Sequence, residues 1–217
     1  SLGYVVVPGD TATDELWARV DEQLLREWRR ADGRPFTAEA GCIDSGGHRT
    51  QEVYRFSQAR LGRKIWATKG SSETGGQRAP VWPTVKPSTR KRGAFKPVMI
   101  GTNAAKDTVR ARLGLVEPGP GYCHFQAKRE LAWYEQLLAE RQTLKIRSGR
   151  RFTIWECPKG KANEAFDCRV LAYAALQGLV HLGTRLNEVT EERSNRWAAP
   201  SVATDAPKPP SWGDKAG

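Results

Sequence analysis

A chain of 217 residues with 39% hydrophobic content and eight tryptophans has room for one full domain, with or without a tail. Its 35 Lys and Arg against 24 Asp and Glu give a formal charge of +11, a balance that suits a polyanion such as nucleic acid or an anionic surface. The longest apolar run, about 170 to 182, contains Gln177 and His181 and is too short to span a bilayer, so no membrane partner is expected.

The four cysteines, Cys42, Cys123, Cys157 and Cys168, are too widely separated for a zinc knuckle or finger. Cys42 and Cys168 sit in apolar runs, where a thiol behaves as a small hydrophobe. With no signal peptide, reduced thiols in a cytoplasmic protein are expected. The chain opens Ser-Leu-Gly-Tyr and already reads as a strand from Tyr4 to Val7, which suggests a piece of something longer.

Thr11 or Thr13 is positioned to cap a helix running to about Arg30, with Leu16, Val20, Leu24 and Trp28 as its buried stripe and Asp32-Gly33 as its stop. A strand from Phe36 ends at Ile43-Asp44, followed by Ser45-Gly46-Gly47-His48 and a helix from Arg49 to Leu61. Lys64 to Thr68 is a short strand leading to Lys69-Gly70. A long basic loop follows, 70 to 94, with Arg78, Lys86, Arg90, Lys91 and Arg92 around Trp82. Lys96 to Ile100 is a strand, and Thr102 or Asn103 caps a helix through about Leu113.

This alternation argues for a sheet with parallel members, whose right-handed crossovers bring Asp44 and Lys69 to one carboxyl edge. Further on, Glu130 to Arg141 reads as an amphipathic helix and His124 as a half-buried histidine. Thr143–Ile146 and Phe152–Glu156 read as a hairpin with a basic tip across Ser148-Gly149-Arg150. After Pro158-Lys159-Gly160-Lys161 comes the longest helix, Asn163 to about Thr190. Residues 1–195 form the expected domain, and 196–217, rich in proline, the expected disordered basic tail.

Asp167 shares a helix face with Leu171 and Ala174, which places an acid on the packed side about one turn in. A buried acid needs a partner. Either Asp167 pairs with a neighbouring Lys or Arg, or Asp44 and Asp167 converge to hold Mg2+ or Mn2+, which take carboxylate, water and phosphate oxygens. Two such ions about 4 Å apart would clamp an in-line phosphodiester displacement. His48 is a candidate general base or phosphate contact, or simply a helix-start residue. Glu164 is a second candidate acid or a complement to the helix dipole. Glu140 is a ligand or a surface charge. Lys69, Arg78, Lys86, Arg90, Lys91, Arg92, Lys159 and Lys161 are candidate phosphate contacts carrying no sequence information. No Gly-x-x-x-x-Gly-Lys-Ser/Thr loop is present, so no ATP site is expected in this chain.

Six stretches in order carry a resemblance: Ile43-Asp44-Ser45-Gly46-Gly47, Thr50-Gln51-Glu52-Val53-Tyr54, Ala67-Thr68-Lys69-Gly70, Gly101-Thr102 with Ala105-Lys106, Gly121-Tyr122 with His124-Phe125, and Asn163-Glu164-Ala165-Phe166-Asp167-Cys168-Arg169-Val170. Together they resemble the nuclease domain of the lambda-type (GpA family) phage terminase large subunit. The resemblance implies an α/β, RNase H-like mixed sheet flanked by helices, and a metal-dependent endonuclease that cuts concatemeric double-stranded DNA during genome packaging. It matches Asp44 and Asp167 to the family's metal-binding acids and keeps Glu164 as a candidate.

It also implies partners: an upstream ATPase motor domain, the terminase small subunit and the portal. The family's first strand, with its Gly-x-Asp-x-Gln acid, precedes the stretch seen here, so weak or absent nuclease activity is expected of this chain alone. A bare sheet edge is expected for the same reason. A non-catalytic DNA-binding or assembly module with the same fold is the alternative, and an RNase H-like transposase or integrase has no feature in its favour.

Overall fold

The computed structural model describes residues 1–30, 32–73, 77–84 and 95–187. Contacts gather Ser1–Leu182 into one unit, and Gly183–Gly217 forms another of which only 183–187 are described. Lys86, Arg90, Lys91, Arg92 and the tail 196–217 lie outside the described residues.

Helix α1, Asp14–Leu24, begins after Thr13, whose hydroxyl donates to the Asp10 carbonyl instead of capping the helix. It stops at Leu24, well before Arg30. Trp28 leaves the expected buried stripe because Trp28–Arg29 (β1) turns back to pair antiparallel with Pro35–Phe36 (β2). Asp32 and Gly33 make the turn between them, with Gly33 at φ +81° and the Asp32 carboxylate accepting the Arg34 amide. The expected strand from Phe36 is therefore split, and the one that matters, β3, is only Gly41–Asp44.

After β3 come α2 (Thr50–Gln58), a short 3-10 turn (Leu61–Arg63), β4 (Ile65–Gly70), β5 (Val98–Ile100) and α3 (Thr102–Leu113). Strands β3, β4 and β5 form a parallel sheet in that order, with Asp44 beside Thr68 and Gly70 beside Ile100. Ile65, Ala67 and Thr68 of the middle strand are buried, as expected where helices cover both faces. Asp44 and Lys69 do meet at the carboxyl edge.

Helix α4 is Leu131–Leu137, half the expected length, because Arg141 already belongs to the next strand. Trp133 and Leu137 turn inward while Leu131 and Leu138 stay exposed. Strands β6 (Arg141–Arg147) and β7 (Arg150–Glu156) form a separate antiparallel hairpin. Its two-residue turn has Ser148 at φ +50° and Gly149 at +74°, the mirror-image geometry that matches strand twist. Helix α5, Glu164–His181, ends ahead of Gly183 at φ +98° and does not run on to Thr190, which is itself outside the described residues.

Tyr4–Val7 forms no strand. Its backbone joins no ladder, Tyr4, Val5 and Val6 are exposed, and the segment is held by side chains: the Tyr4 hydroxyl donates to Glu130 and its ring lies near Trp133.

The main core joins α3, α4 and α5 through Ala105, Val109, Trp133, Leu137, Ala165, Phe166 and Val170. Burying a Phe or Leu such as Phe166 or Leu137 contributes about 1.5–3 kcal/mol. A second contact ties α1 to α2: Trp17 stacks on Phe56, and Asp21 accepts from both Arg60 and Arg63. Among the described residues, no helix is long and apolar enough to cross a membrane.

Two predictions follow from this packing. The hydrogen bonds from Arg60, with those from Arg63, hold the Asp21 carboxyl below its ordinary pKa. A depressed carboxylate stabilises the fold above its unfolded pKa and loses that contribution as pH falls through the folded value. Asp21→Asn should therefore lower the melting temperature at pH 7, by a margin that shrinks as the pH falls below the ordinary carboxylate range. At Gly178, an added Cβ would lie 2.8 Å from Trp82 and 2.9 Å from Trp66, two rings already in edge contact. Gly178→Ala gains about 1 kcal/mol of helix propensity but meets an overpacking cost of about 1–3 kcal/mol. A net loss in denaturant unfolding is expected; a net gain would contradict the contact.

Candidate functional site

A cavity of about 530 Å3 opens where the carboxyl ends of β3, β4 and β5 meet the starts of α3 and α5. Open α/β sheets place ligands at this kind of edge. The polar wall is Asp44, Lys69, Thr102, Lys106 and Asp167. Gly46, Gly47 and Gly70 keep it open, and Ile100, Val170 and Leu171 form its apolar part. Gly70 permits a close approach, since a Cβ there would lie 2.9 Å from the Thr102 hydroxyl.

Asp44 is the last residue of β3, and its side chain accepts the Gly46 amide at 3.0 Å, which folds the loop back beneath it. Beside it Ser45 is buried, with its amide and hydroxyl both donating to the Thr68 carbonyl at 2.8 Å. Thr50 donates to the Ser45 and Gly47 carbonyls, so the start of α2 holds the loop in place.

Asp167 comes from the first turn of α5 and is about half exposed, not fully on the packed side. Its two oxygens have different partners: Lys106 Nζ at 3.1 Å on Oδ1 and the Asn163 amide at 2.9 Å on Oδ2. Burial raises the Asp167 carboxyl above the ordinary range, against the opposing pull of the Lys106 ammonium, and the Glu140 and Glu164 charges add to the rise. Asp167 thus has a neighbouring lysine partner, Lys106, and still opens onto the cavity it shares with Asp44.

Behind this pair sits Glu140, which is buried rather than at the surface. Its Oε1 accepts from Lys106 Nζ at 2.5 Å and from the Asn163 amide at 2.6 Å. Its Oε2 is buried without a hydrogen-bond partner among the described residues. A buried ammonium between two carboxylates is held by charge and geometry together.

The other expected residues fall elsewhere. His48 is exposed before α2 and does not line the cavity. Glu164 is exposed and accepts the Asn163 backbone amide, as a helix-start acid does. Arg78 is committed within the fold, to Glu73, Asp107 and the Thr153 carbonyl. Lys159 and Lys161 are exposed in the turn ahead of α5. His124 is exposed, edge-on to Tyr122, rather than half-buried. All four cysteines are free; burial pushes the Cys42 thiol up to about 12, while Cys168 faces outward.

Lys106 and Asn163 are the side chains bonded to Asp167 to which pattern reasoning gave no role. Lys106 sits beside Ala105 and one turn from Val109, and a lysine on a packed helix face signals a buried carboxylate partner.

Asp44 and Asp167 are hard oxygen donors on one solvent-open cavity. That donor set fits one Mg2+ or Mn2+, which commonly takes one or two carboxylates and completes its shell with water and phosphate oxygens. Each Asp167 oxygen keeps a lone pair beyond its present hydrogen bond. Among the described residues no group of three His, Cys, Asp or Glu stands ready to hold a metal.

The chain matches the family model described as "Terminase large subunit gpA, endonuclease domain" over residues 1–188. It is 31% identical over 179 residues to the terminase large subunit of Escherichia phage lambda, covering 79% of this chain and 27% of that protein. It is 30% identical over 181 residues to the terminase large subunit of Enterobacteria phage P21, covering 80% and 27%. The chain thus spans about a quarter of the length of the curated relatives it matches. No solved structure matches it. The ordered stretches around Asp44, Lys69, Lys106 and Asp167 and the match over 188 residues agree: this chain belongs to the terminase large subunit gpA endonuclease-domain family.

Proposed function

We propose that the chain is an RNase H-like nuclease domain of a viral genome-packaging terminase, hydrolysing phosphodiester bonds of concatemeric double-stranded DNA. The observation that carries this reading is the shared cavity of Asp44 and Asp167 at the sheet's carboxyl edge, with Lys69 and Lys106 on the same wall. Family membership supports it. The parallel sheet β3-β4-β5 with α5 beside it suits the RNase H-like reading.

In this mechanism Asp44 and Asp167 would hold Mg2+ or Mn2+, which would supply Lewis-acid polarisation of the phosphate and a lowered pKa for the attacking water. Lys69 meets the non-bridging phosphate oxygens as a point charge. Lys106 positions Asp167 by fixing one carboxylate oxygen, and Asn163 fixes the other. Glu140 keeps Lys106 in place from behind. Thr102 adds a hydroxyl to the same polar wall. Ile100, Val170 and Leu171 exclude bulk water from one side, which strengthens each charge interaction inside. Exposed Lys159 and Lys161 and the basic segment 86–92 would add backbone contacts. The upstream motor, small subunit and portal are partners proposed from the family, as is action in the host cytoplasm.

One observation favours a second reading, a DNA-binding or assembly module without catalysis: the Lys106 ammonium already neutralises Asp167, and no three-ligand group surrounds it among the described residues. A cation held by two carboxylates is held weakly, so slow cleavage by the isolated chain is expected.

Metal titration separates the readings. Millimolar Mn2+ should raise the melting temperature of the wild type by several degrees, and Asp44→Asn or Asp167→Asn should each remove the shift. Plasmid nicking with Mn2+ should be slow and vanish in both variants. No thermal response to Mn2+ or Mg2+ would leave the non-catalytic reading standing. For the supporting pair, Lys106→Met strands Glu140 as a buried unpaired charge and should cost about 3–5 kcal/mol. Lys106→Met with Glu140→Met should recover most of that stability, yet not the Mn2+ response, because Asp167 remains without its orienting partner.

A further inference from the structure

The β6–β7 hairpin joins neither of the other sheets among the described residues. Its root is tied down on several sides. Trp155 donates from its indole to Asp107 at 2.7 Å and lies edge-on to Phe166. Gln142 donates to Asp107, the Trp155 amide to Asn103, and Arg78 to the Thr153 carbonyl. All of these anchors but Arg78 belong to α3 and α5, the helices that carry Lys106 and Asp167, and Arg78 is itself bonded to Asp107 of α3. The hairpin's direction is thereby fixed relative to the candidate site.

Its tip is the opposite. The two strands hold five Lys or Arg and one Glu. Lys145 pairs with Glu156, but Arg147, Arg150 and Arg151 are exposed and pair with no carboxylate among the described residues. Several arginines elsewhere are matched to acids: Arg55 to Asp14, Arg60 and Arg63 to Asp21, Arg78 to Glu73 and Asp107. Beside the tip, Leu144 and Ile146 are 58% and 66% exposed, on the face that also carries Arg151.

We infer that this hairpin is a DNA-contacting arm, in which Arg147, Arg150 and Arg151 grip duplex phosphates while the ribbon lies along the major groove. The inference rests on duplex DNA being the substrate, but concerns a surface apart from the cavity. A two-stranded ribbon has strands about 4.8 Å apart, and the major groove, about 12 Å wide, admits one. Apolar side chains on the groove-facing side find thymine methyl groups there, which gives Leu144 and Ile146 a partner that bulk water does not. Guanidinium groups suit phosphate through their fork of donors. An acidic protein partner would satisfy the charge but would not need so narrow a projection; loss of no DNA affinity on mutation would point there.

The test is fluorescence anisotropy of the full chain with a labelled 30-base-pair duplex in EDTA, across 50 to 200 mM salt. Replacing Arg147, Arg150 and Arg151 by Gln together should weaken binding at least tenfold. It should also reduce the slope of log affinity against log salt by about 2.7, at roughly 0.9 per phosphate contact. The melting temperature should stay unchanged, because these side chains make no contact that holds the fold. The matching triple change to Lys should restore most of the slope. Arg55→Gln, which removes an exposed arginine already paired with Asp14, should change affinity less than twofold. Wild-type affinity and slope in the Gln variant would overturn the arm. Absence of duplex binding by the wild type would instead overturn the reading of DNA as substrate, and the arm with it.

Discussion

The arrangement at the sheet edge depends on one buried ion pair, Lys106 with Glu140, and on Asn163 across it. Two charges taken out of water must be compensated with good geometry, or the fold does better with hydrophobes in their place. Here the compensation is shared with a functional side chain: the ammonium that satisfies Glu140 also reaches Asp167, and the amide of Asn163 reaches both acids. Three elements, α3, the segment after α4 and the start of α5, are held at fixed mutual positions by these four side chains. The orientation of Asp167 is therefore set by the core, while its carboxylate still opens to solvent.

The two acids of the cavity are held by different physics. Asp44 is positioned by backbone: a strand end, an amide two residues on, and a serine and threonine bracing the loop. It is exposed, and little but local geometry constrains it. Asp167 is positioned by charge and carries the cost of burial, seen in its raised carboxyl pKa. Perturbed titrating groups cluster at sites that do chemistry, and structural ion-pair networks perturb them as well.

Much of the sheet was legible in the chain because its signals are local. A short apolar run ending in Asp44, another ending at Lys69-Gly70, and helices between them leave few topologies once crossovers are right-handed. The hairpin was legible for the same reason, from alternation and Ser148-Gly149. The failures lie where the outcome depends on a distant partner. Trp28 fits a helical stripe but pairs with Phe36 instead. Tyr4–Val7 has strand composition and no strand beside it. Arg78 reads as a free cation in a basic loop, yet three separate elements claim its guanidinium. The role of Lys106 was hidden because its partners, Glu140 and Asp167, lie one on each side of the hairpin. Exposure misled too: Glu140 looks like the polar end of a helix and is buried, while His48 looks well placed and does not line the cavity.

Asp44 and Asp167 stand 123 positions apart in the chain, in the first strand of the parallel sheet and the last helix of Ser1–Leu182. Closing a flexible loop of that length costs about 4 kcal/mol on a logarithmic scale. Folding meets that cost through the sheet and the α3–α4–α5 core, so the acids arrive together already. Any ligand that engages both acts as a clasp across the whole domain rather than a local plug. Its grip would oppose separation of β3 from α5.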